Sequence, residues 1–422
     1  MHKKQKKPWS VILAILLAII FGSLVGKDQT VFGVSFYTIF ETFGTIFLNA
    51  LTLVVVPLVS SSIISGIAKV GSEKNFGRLG LKMFAFYIGT SLIAILIGLF
   101  FVNLIGPGFK ETSPHIETLA EPTEKIILGE GKTLVNILIS IIPSNIINAL
   151  SHGEMLGLIF FSLIFGYAIS KIESGSASIL KGFFQGLFQA MIYFTHIIMK
   201  FLPYGVFCLV AKVFMVSGFS SLESMGLFSL TVIIGLAIFM FIALPILLKW
   251  IGKVKPSRHF KAMGPALVTA FSTSSSSATL PITIDCVEKR AGVSNRICSL
   301  VVPLGTSINM SGSALYECVA AMFIAQMYGI ELSLSTQFLV VITSLIASMG
   351  VAGVPSASLV ATLIILKVIG LPLEGLGLIA AVDRLLDMCR TTVNVFSDSV
   401  CAILVARTEG EDKVLAQDII ET

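Results

Sequence analysis

The chain alternates long apolar runs with short polar joints. Apolar stretches recur near residues 9–26, 43–68, 83–105, 133–170, 183–216 and 226–248, each long enough to cross a hydrocarbon core of about 30 Å as a helix of about 20 residues. Lipid offers a backbone no hydrogen bonds, so these predict six helical crossings. Beyond residue 250 the pattern changes. Residues 257–290 and 333–370 each read as an apolar run, small polar residues ending in proline, and a second apolar run. Their turns are SSSSATLP, with Pro281, and SMGVAGVPSAS, with Pro355. Neither unit holds an unbroken span, so each predicts a helical hairpin that enters and leaves on one side. Non-helical backbone at membrane depth is tolerated where it is buried in protein or lines a watery cavity, and paired interrupted segments point to a midplane site. Each unit is followed by a helix-length segment with an asparagine motif, NMSGS at 309–313 and NVFSD at 394–398, which predicts an internal duplication.

Six hydroxyl residues stand in a row from Ser272 to Ser277. At a hairpin tip they offer a polar ligand groups that lipid does not. Alternatively they bond back to their own helix carbonyls or ease close helix packing. A run of six, followed by Thr279 and Pro281, favours the binding tip, because unpaired polar groups in hydrocarbon are costly.

The final apolar segment, AVDRLLDMCRTTVNVFSDSVCAILVA, carries Asp383, Asp387, Arg390, Asn394 and Asp398 at spacings of 4, 3, 4 and 4. At 3.6 residues per turn all five fall within an arc of roughly 80°. Charges inside a membrane normally face a bundle interior and mark ion or substrate paths. Asp387 and Arg390 could simply neutralise each other, but that leaves Asp398, beside Asn394 and Ser397, unexplained. A carboxylate among amide and backbone oxygens suits a hard cation, and an arginine suits bidentate capture of a carboxylate. One helix thus offers an anion site and a cation site, as coupled transport of an anionic solute requires. Glu317, in SALYECVAAMFIAQ, is either a buried proton carrier or a glutamate at a wet helix end. Tyr87, Thr90 and Ser91 share one helical face, which by itself reads as packing.

Composition agrees with this picture. Of 422 residues 55% are apolar and 13% charged, which excludes an ordinary soluble domain. The first segment follows Lys3, Lys4, Lys6 and Lys7 without a small-residue cleavage site, so it reads as a retained span. Residues 69–82 hold four basic side chains against Glu73, residues 106–132 hold five Glu against three Lys, and residues 249–261 hold five basic side chains and no acid. This alternation puts the amino terminus and residues 249–261 on the cytoplasmic side. Topology therefore accounts for the net charge of +5, and no nucleic-acid partner is expected. Cys208, Cys286, Cys298, Cys318, Cys389 and Cys401 lie in apolar segments without C-x-x-C spacing and read as buried thiols. His196 reads as a core imidazole, and no metal or phosphate motif appears.

These motifs resemble those of the sodium- or proton-coupled dicarboxylate and acidic amino-acid symporters, a family that includes bacterial and archaeal glutamate or aspartate transporters and mammalian excitatory amino-acid transporters. The resemblance spans essentially the whole chain and is densest in SSSSATLP, PLGTSINMSGSALYE, ASMGVAGVP and DRLLDMCRTTVNVFSDS. It implies an all-α polytopic membrane protein with eight transmembrane segments, two re-entrant helical hairpins, inverted repeats, a homotrimeric scaffold and an elevator-type transport domain. The implied division is 1–82 for the first two segments (scaffold and trimerisation), 83–108 for the third (transport domain) and 109–216 for an extracellular loop with scaffold segments four and five. It continues with 217–256 for the sixth (transport domain), 257–292 for the first hairpin, 293–330 for the seventh, 331–371 for the second hairpin, 372–408 for the eighth and 409–422 for a cytoplasmic tail. Both termini would be cytoplasmic in a multi-pass protein of the cell (inner) membrane, in contact with lipid.

The same resemblance implies substrate contacts at Ser275, Ser276, Ser313, Gly353, Val354, Asp387 (the amino group), Arg390 (the side-chain carboxylate), Thr391 and Asn394 (the α-carboxylate). Relatives that carry neutral amino acids lack arginine at the Arg390 position, so an acidic solute, L-glutamate or L-aspartate, is implied. One sodium site maps to Gly305, Asn309, Asn394 and Asp398, and a second to Ser307, Ser348, Met349 and Val351. A third maps to Tyr87, Thr90, Ser91 and Asn309, but the aspartate of the family's Asn-Met-Asp-Gly-Thr pattern is Ser311 here. Without that carboxylate fewer than three sodium ions are expected. Glu317 matches the proton carrier of the mammalian branch, which makes H+ the second coupling ion or the only one. The alternatives are a proton-coupled symporter of C4 dicarboxylates (succinate, fumarate, malate) and, from another class, an intramembrane serine hydrolase. The latter needs a base aligned with a hairpin serine, whereas His259, Asp285 and Glu288 lie towards the hairpin's ends and no nucleophile-elbow glycines flank the serines. A passive channel fits neither the hairpins nor the mixed-charge stripe.

Overall fold

The computed structural model describes residues 9–25, 29–31, 33–70, 76–109, 142–152, 155–217, 221–350 and 357–415, which are almost wholly helical. Helix α1 (Trp9–Leu24) leads through a two-stranded ribbon (Thr30–Val31 and Val34–Ser35) to α2 (Phe36–Val70), α3 (Phe76–Ile105), α4 (Ile146–His152), α5 (Met155–Lys171) and α6 (Ser174–Ile198). There follow α7 (Leu202–Ser217), α8 (Ser221–Ile238), α9 (Leu244–Trp250), α10 (Pro256–Thr273), α11 (Ser276–Asp285), α12 (Asn295–Ile308), α13 (Ser311–Met327), α14 (Leu334–Gly350), α15 (Ala357–Ile369) and α16 (Leu376–Thr408).

Six stretches are long and apolar enough to cross a membrane: Phe36–Ala68, Arg78–Ile105, Ser174–Lys212, Glu223–Trp250, Asn295–Met327 and Leu373–Thr408. Such a set marks a membrane protein. Two expected crossings look different. The 9–26 run gives the 16-residue α1. In the described part of the 133–170 run the helical structure begins only at α4, where Asn145 Oδ1 accepts the Ile147 N–H at 2.9 Å and caps the helix. In the second half, α10 packs against α11 and α14 against α15.

Helix α1 packs on α7, and α2 on α5, α6 and α7. Around α13, which buries all 17 of its residues, lie α3, α8, α14, α15 and α16. The stretch assigned to the seventh segment, 293–330, contains two helices, α12 and α13. Asn309 (φ −98°, ψ 61°) and Met310 (φ −91°, ψ 57°) leave helical geometry between α12 and α13. A helix end and a helix start thus meet at the break, and their terminal carbonyl and N–H groups need partners from outside the helix.

After α16 the chain turns back across the bundle's end. Lys82 Nζ binds Thr408 O at 2.7 Å and Glu409 Oε1 at 2.5 Å, and this bond holds the Glu409 carboxyl below its usual range. Glu411 accepts the Ser294 N–H at 3.0 Å. Leu415, buried with Val414, donates its N–H to Ala291 O at 2.8 Å and accepts from Arg258 Nη1 at 3.1 Å. Residues 409–415 thus strap the start of α10 to the turn before α12 and to α3.

Candidate functional site

The serine run divides by position. Ser272 and Thr273, still on α10, donate to the carbonyls of Val268 and Thr269 at 2.8 Å each, the back-bonding that relieves a hydroxyl in a helix. Ser274 is left-handed (φ 50°, ψ 36°), a strained conformation for a residue with a Cβ, and it reverses the chain. Ser275 is extended and caps α11 by accepting the Ala278 N–H at 3.2 Å. Ser276 starts α11 and is buried. The tip is therefore Ser274 to Ser276, and the two hydroxyl residues before it on α10 answer to the helix. His259, a candidate base for a hydrolase, bonds Ser399 Oγ at 2.9 Å near the foot of α10.

All five stripe residues of α16 are buried inside the bundle. Arg390 is fully buried, and its Nη2 donates to Asp383 Oδ1 at 2.8 Å and Asp387 Oδ1 at 2.9 Å. The guanidinium carbon sits 3.7 Å from the centre of the Tyr316 ring, a cation–π contact. The pairing considered between Asp387 and Arg390 thus exists, with Asp383 added. It does not exhaust the guanidinium, since Nε and Nη1 are buried without a partner among the described residues. Two nitrogens with unspent N–H donors, held by a ring and two carboxylates, can accept a substrate carboxylate.

Next to it α13 begins. Asn394 Oδ1 accepts the N–H groups of Gly312 (2.8 Å) and Ser313 (3.3 Å), and its Nδ2 donates to Ser313 Oγ at 3.1 Å. The side chain therefore caps α13 from α16 and joins Ser313 to the stripe. Thr391 is buried one residue past Arg390.

The residues mapped to the first and third cation sites form one network. Asn309 Oδ1 accepts from Thr90 Oγ1 (3.1 Å) and Ser311 Oγ (3.0 Å), while its Nδ2 donates to Asp398 Oδ1 (2.9 Å) and Ser397 Oγ (3.2 Å). Ser311 Oγ lies 3.1 Å from both Ser91 Oγ and Ser397 Oγ. The Tyr87 hydroxyl donates to Val301 O. Gly305 abuts Asp398 so closely that a methyl group on it would fall 2.6 Å from Oδ1. Asp398 Oδ2 is buried without a partner among the described residues. A carboxylate oxygen left over beside backbone and an amide is donor chemistry that fits a hard cation. The Asn394 side chain is spent on α13, so only its backbone is left for that site.

Of the second set, Ser307 and Met349 line one cavity of about 630 Å³, while Ser348 bonds back to Leu345 O at 2.9 Å. Val351, Gly353 and Val354 lie outside the described residues, as does the side chain of His196. Glu317 sits within α13, not at a wet end, and both its oxygens are buried without a partner among the described residues. A neutral carboxyl tolerates that environment and a carboxylate does not. Sequence reading missed Tyr316, and it gave Asp383 no partner. Tyr316 lies one residue before Glu317, adjacency being the only signal available.

The model of the sodium:dicarboxylate symporter family matches residues 9–408. The chain is 36% identical to the proton/sodium-glutamate symport protein of Bacillus caldotenax, over 96% of this chain and 94% of that one. It is 34% identical to the proton/glutamate-aspartate symporter of Escherichia coli, over 95% and 92%, and 35% identical to human excitatory amino acid transporter 3, over 92% and 83%. A match of that extent covers the helix break, the serine tip and the ionic stripe alike, and it settles the kinship: the chain belongs to the sodium:dicarboxylate symporter family.

Proposed function

We propose that the protein is a secondary active symporter that takes up L-aspartate and L-glutamate with Na+ and H+. The observation that carries the reading is Arg390, fully buried in an apolar bundle with unspent donors next to Asp387, its partner at 2.9 Å. Such a pair holds a substrate bearing both carboxylate and ammonium. The relatives named for glutamate or aspartate symport support it. Ser275, Ser276, Ser313, Gly353, Val354, Thr391 and Asn394 are the remaining substrate contacts. Gly305, Asn309, Asn394 and Asp398 take one sodium, and Ser307, Ser348, Met349 and Val351 another. Glu317 carries the proton. The two helix pairs are re-entrant, inverted repeats, and they travel with α3, α8, α12, α13 and α16 as an elevator against a homotrimeric scaffold. Both termini face the cytoplasm.

The test is uptake into proteoliposomes of labelled aspartate, glutamate and succinate, with sodium and proton gradients imposed separately. Gradient-driven aspartate or glutamate uptake is expected, its pH dependence flattened in Glu317→Gln. Uptake of succinate alone favours the dicarboxylate reading, and flux without any gradient sinks symport altogether.

Ser311 bears on the sodium count. It closes a ring of neutral hydrogen bonds with Asn309, Ser91 and Ser397, and a ring already satisfied offers no charge to a third sodium. In Ser311→Asp a carboxylate enters that ring, and the half-saturating sodium concentration is expected to fall about tenfold, the scale of one added charge contact. Sodium dependence equal to wild type would refute the loss of a third site.

A further inference from the structure

We propose that Arg384 sets the choice between an amino acid and a dicarboxylate without an amino group, by competing with a substrate ammonium for Asp387. The inference rests on the acidic-solute reading above and adds a residue that reading does not use.

Asp387 has a guanidinium on each side. Its Oδ1 accepts from Arg390 Nη2 at 2.9 Å, and its Oδ2 lies 3.8 Å from Arg384 Nη1. The two arginines differ in kind. Arg390 is fully buried and hydrogen-bonded, whereas the Arg384 side chain is 20% exposed. At 3.8 Å its ion pair is too long for a hydrogen bond, so the contact is Coulombic and easily exchanged. Arg384 Nε is buried without a partner among the described residues, so no hydrogen bond at that nitrogen holds the guanidinium in place. A long, partly exposed side chain of this kind can swing outward while its stem stays packed.

The charges explain what the swing does. Asp383 and Asp387 face Arg384 and Arg390, two of each sign, so the cluster is balanced. An acidic amino acid brings two carboxylates and an ammonium, and the ammonium must take Asp387 from Arg384. A dicarboxylate brings two negative charges and no ammonium, so it binds best while Arg384 stays and cancels Asp387. Removing Arg384 leaves Asp387 under-neutralised, which draws the ammonium and repels the dicarboxylate. Arg384 therefore keeps the site permissive to both solute classes.

The measurement is the concentration of succinate that halves labelled aspartate uptake, divided by the concentration of unlabelled aspartate that does so, in proteoliposomes. In Arg384→Ala this ratio is expected to rise about tenfold, and in Arg384→Lys, which keeps the charge, to return to within about threefold of wild type. A purely structural role would lower uptake without moving the ratio. Equal ratios in all three proteins, or succinate inhibiting none of them, overturn the proposal while leaving the transport reading intact. A wild type that takes up no acidic solute sinks the transport reading, and this inference with it. Should Arg384→Ala fail to reach the membrane, Arg384→Gln takes its place: the same rise in the ratio is expected, and an unchanged ratio overturns the proposal.

Discussion

Arg390→Cys abolishes aspartate and glutamate uptake and admits small neutral amino acids such as serine. Two effects add in this variant. The substrate's side-chain carboxylate loses the fully buried Arg390 guanidinium, and Asp383 loses a partner at 2.8 Å that nothing else on the stripe replaces. Breaking a buried pair costs about 3–5 kcal/mol, and about 1.4 kcal/mol is tenfold, so a fall of more than a hundredfold in kcat/KM for aspartate is expected. Asp387 keeps Arg384 at 3.8 Å and remains able to meet an ammonium. Because part of the loss is stability, the companion variant is Arg390→Cys with Asp383→Asn, which removes the stranded charge. It should recover thermal stability and still refuse aspartate. Aspartate transport undiminished in either protein would remove Arg390 from the site.

The second large effect is steric. Gly305→Ala places a methyl carbon 2.6 Å from Asp398 Oδ1 and 2.8 Å from its carboxyl carbon, distances no real contact holds, so α12 and α16 must separate or Asp398 must turn away. Overpacking of this kind costs about 1–3 kcal/mol. It also displaces the one carboxylate proposed to hold sodium, so the sodium concentration for half-maximal uptake should rise at least tenfold, the equivalent of about 1.4 kcal/mol. Gly264 is the control, since a methyl group there meets open space on α10. Gly264→Ala, at the position that precedes Pro265, should leave the sodium dependence at its wild-type value. If both variants keep wild-type sodium dependence, Asp398 does not contribute a sodium ligand.

The ionic stripe was legible because a period of 3.6 residues needs no knowledge of the partner helix. Spacings of 4, 3, 4 and 4 put five polar groups on one face, and all five are buried there. The helix pairs were legible for a similar reason, as proline and small polar residues interrupt otherwise apolar runs. The break at Asn309 was not, because residues 293–330 are apolar enough on average to read as one span. What bends the chain is local, an asparagine and a methionine with ψ near 60°. The serine run shows the opposite limit. Ser272 and Ser275 are alike in sequence, and only the position of the chain reversal makes one a back-bonded helix residue and the other a cap. Contacts such as Tyr316 on Arg390 or Ser397 on Asn309 depend on how α13 and α16 meet, which no single-chain periodicity encodes.

The strap formed by residues 409–415 governs where the protein can be handled. A reporter or affinity handle fused downstream of Leu415 leaves both feet of the first helix pair clipped together. A protease site or truncation at Thr408 would instead unclip Arg258 and Ala291 in one cut, turning a harmless-looking trimming of the carboxyl end into a lesion of the serine hairpin.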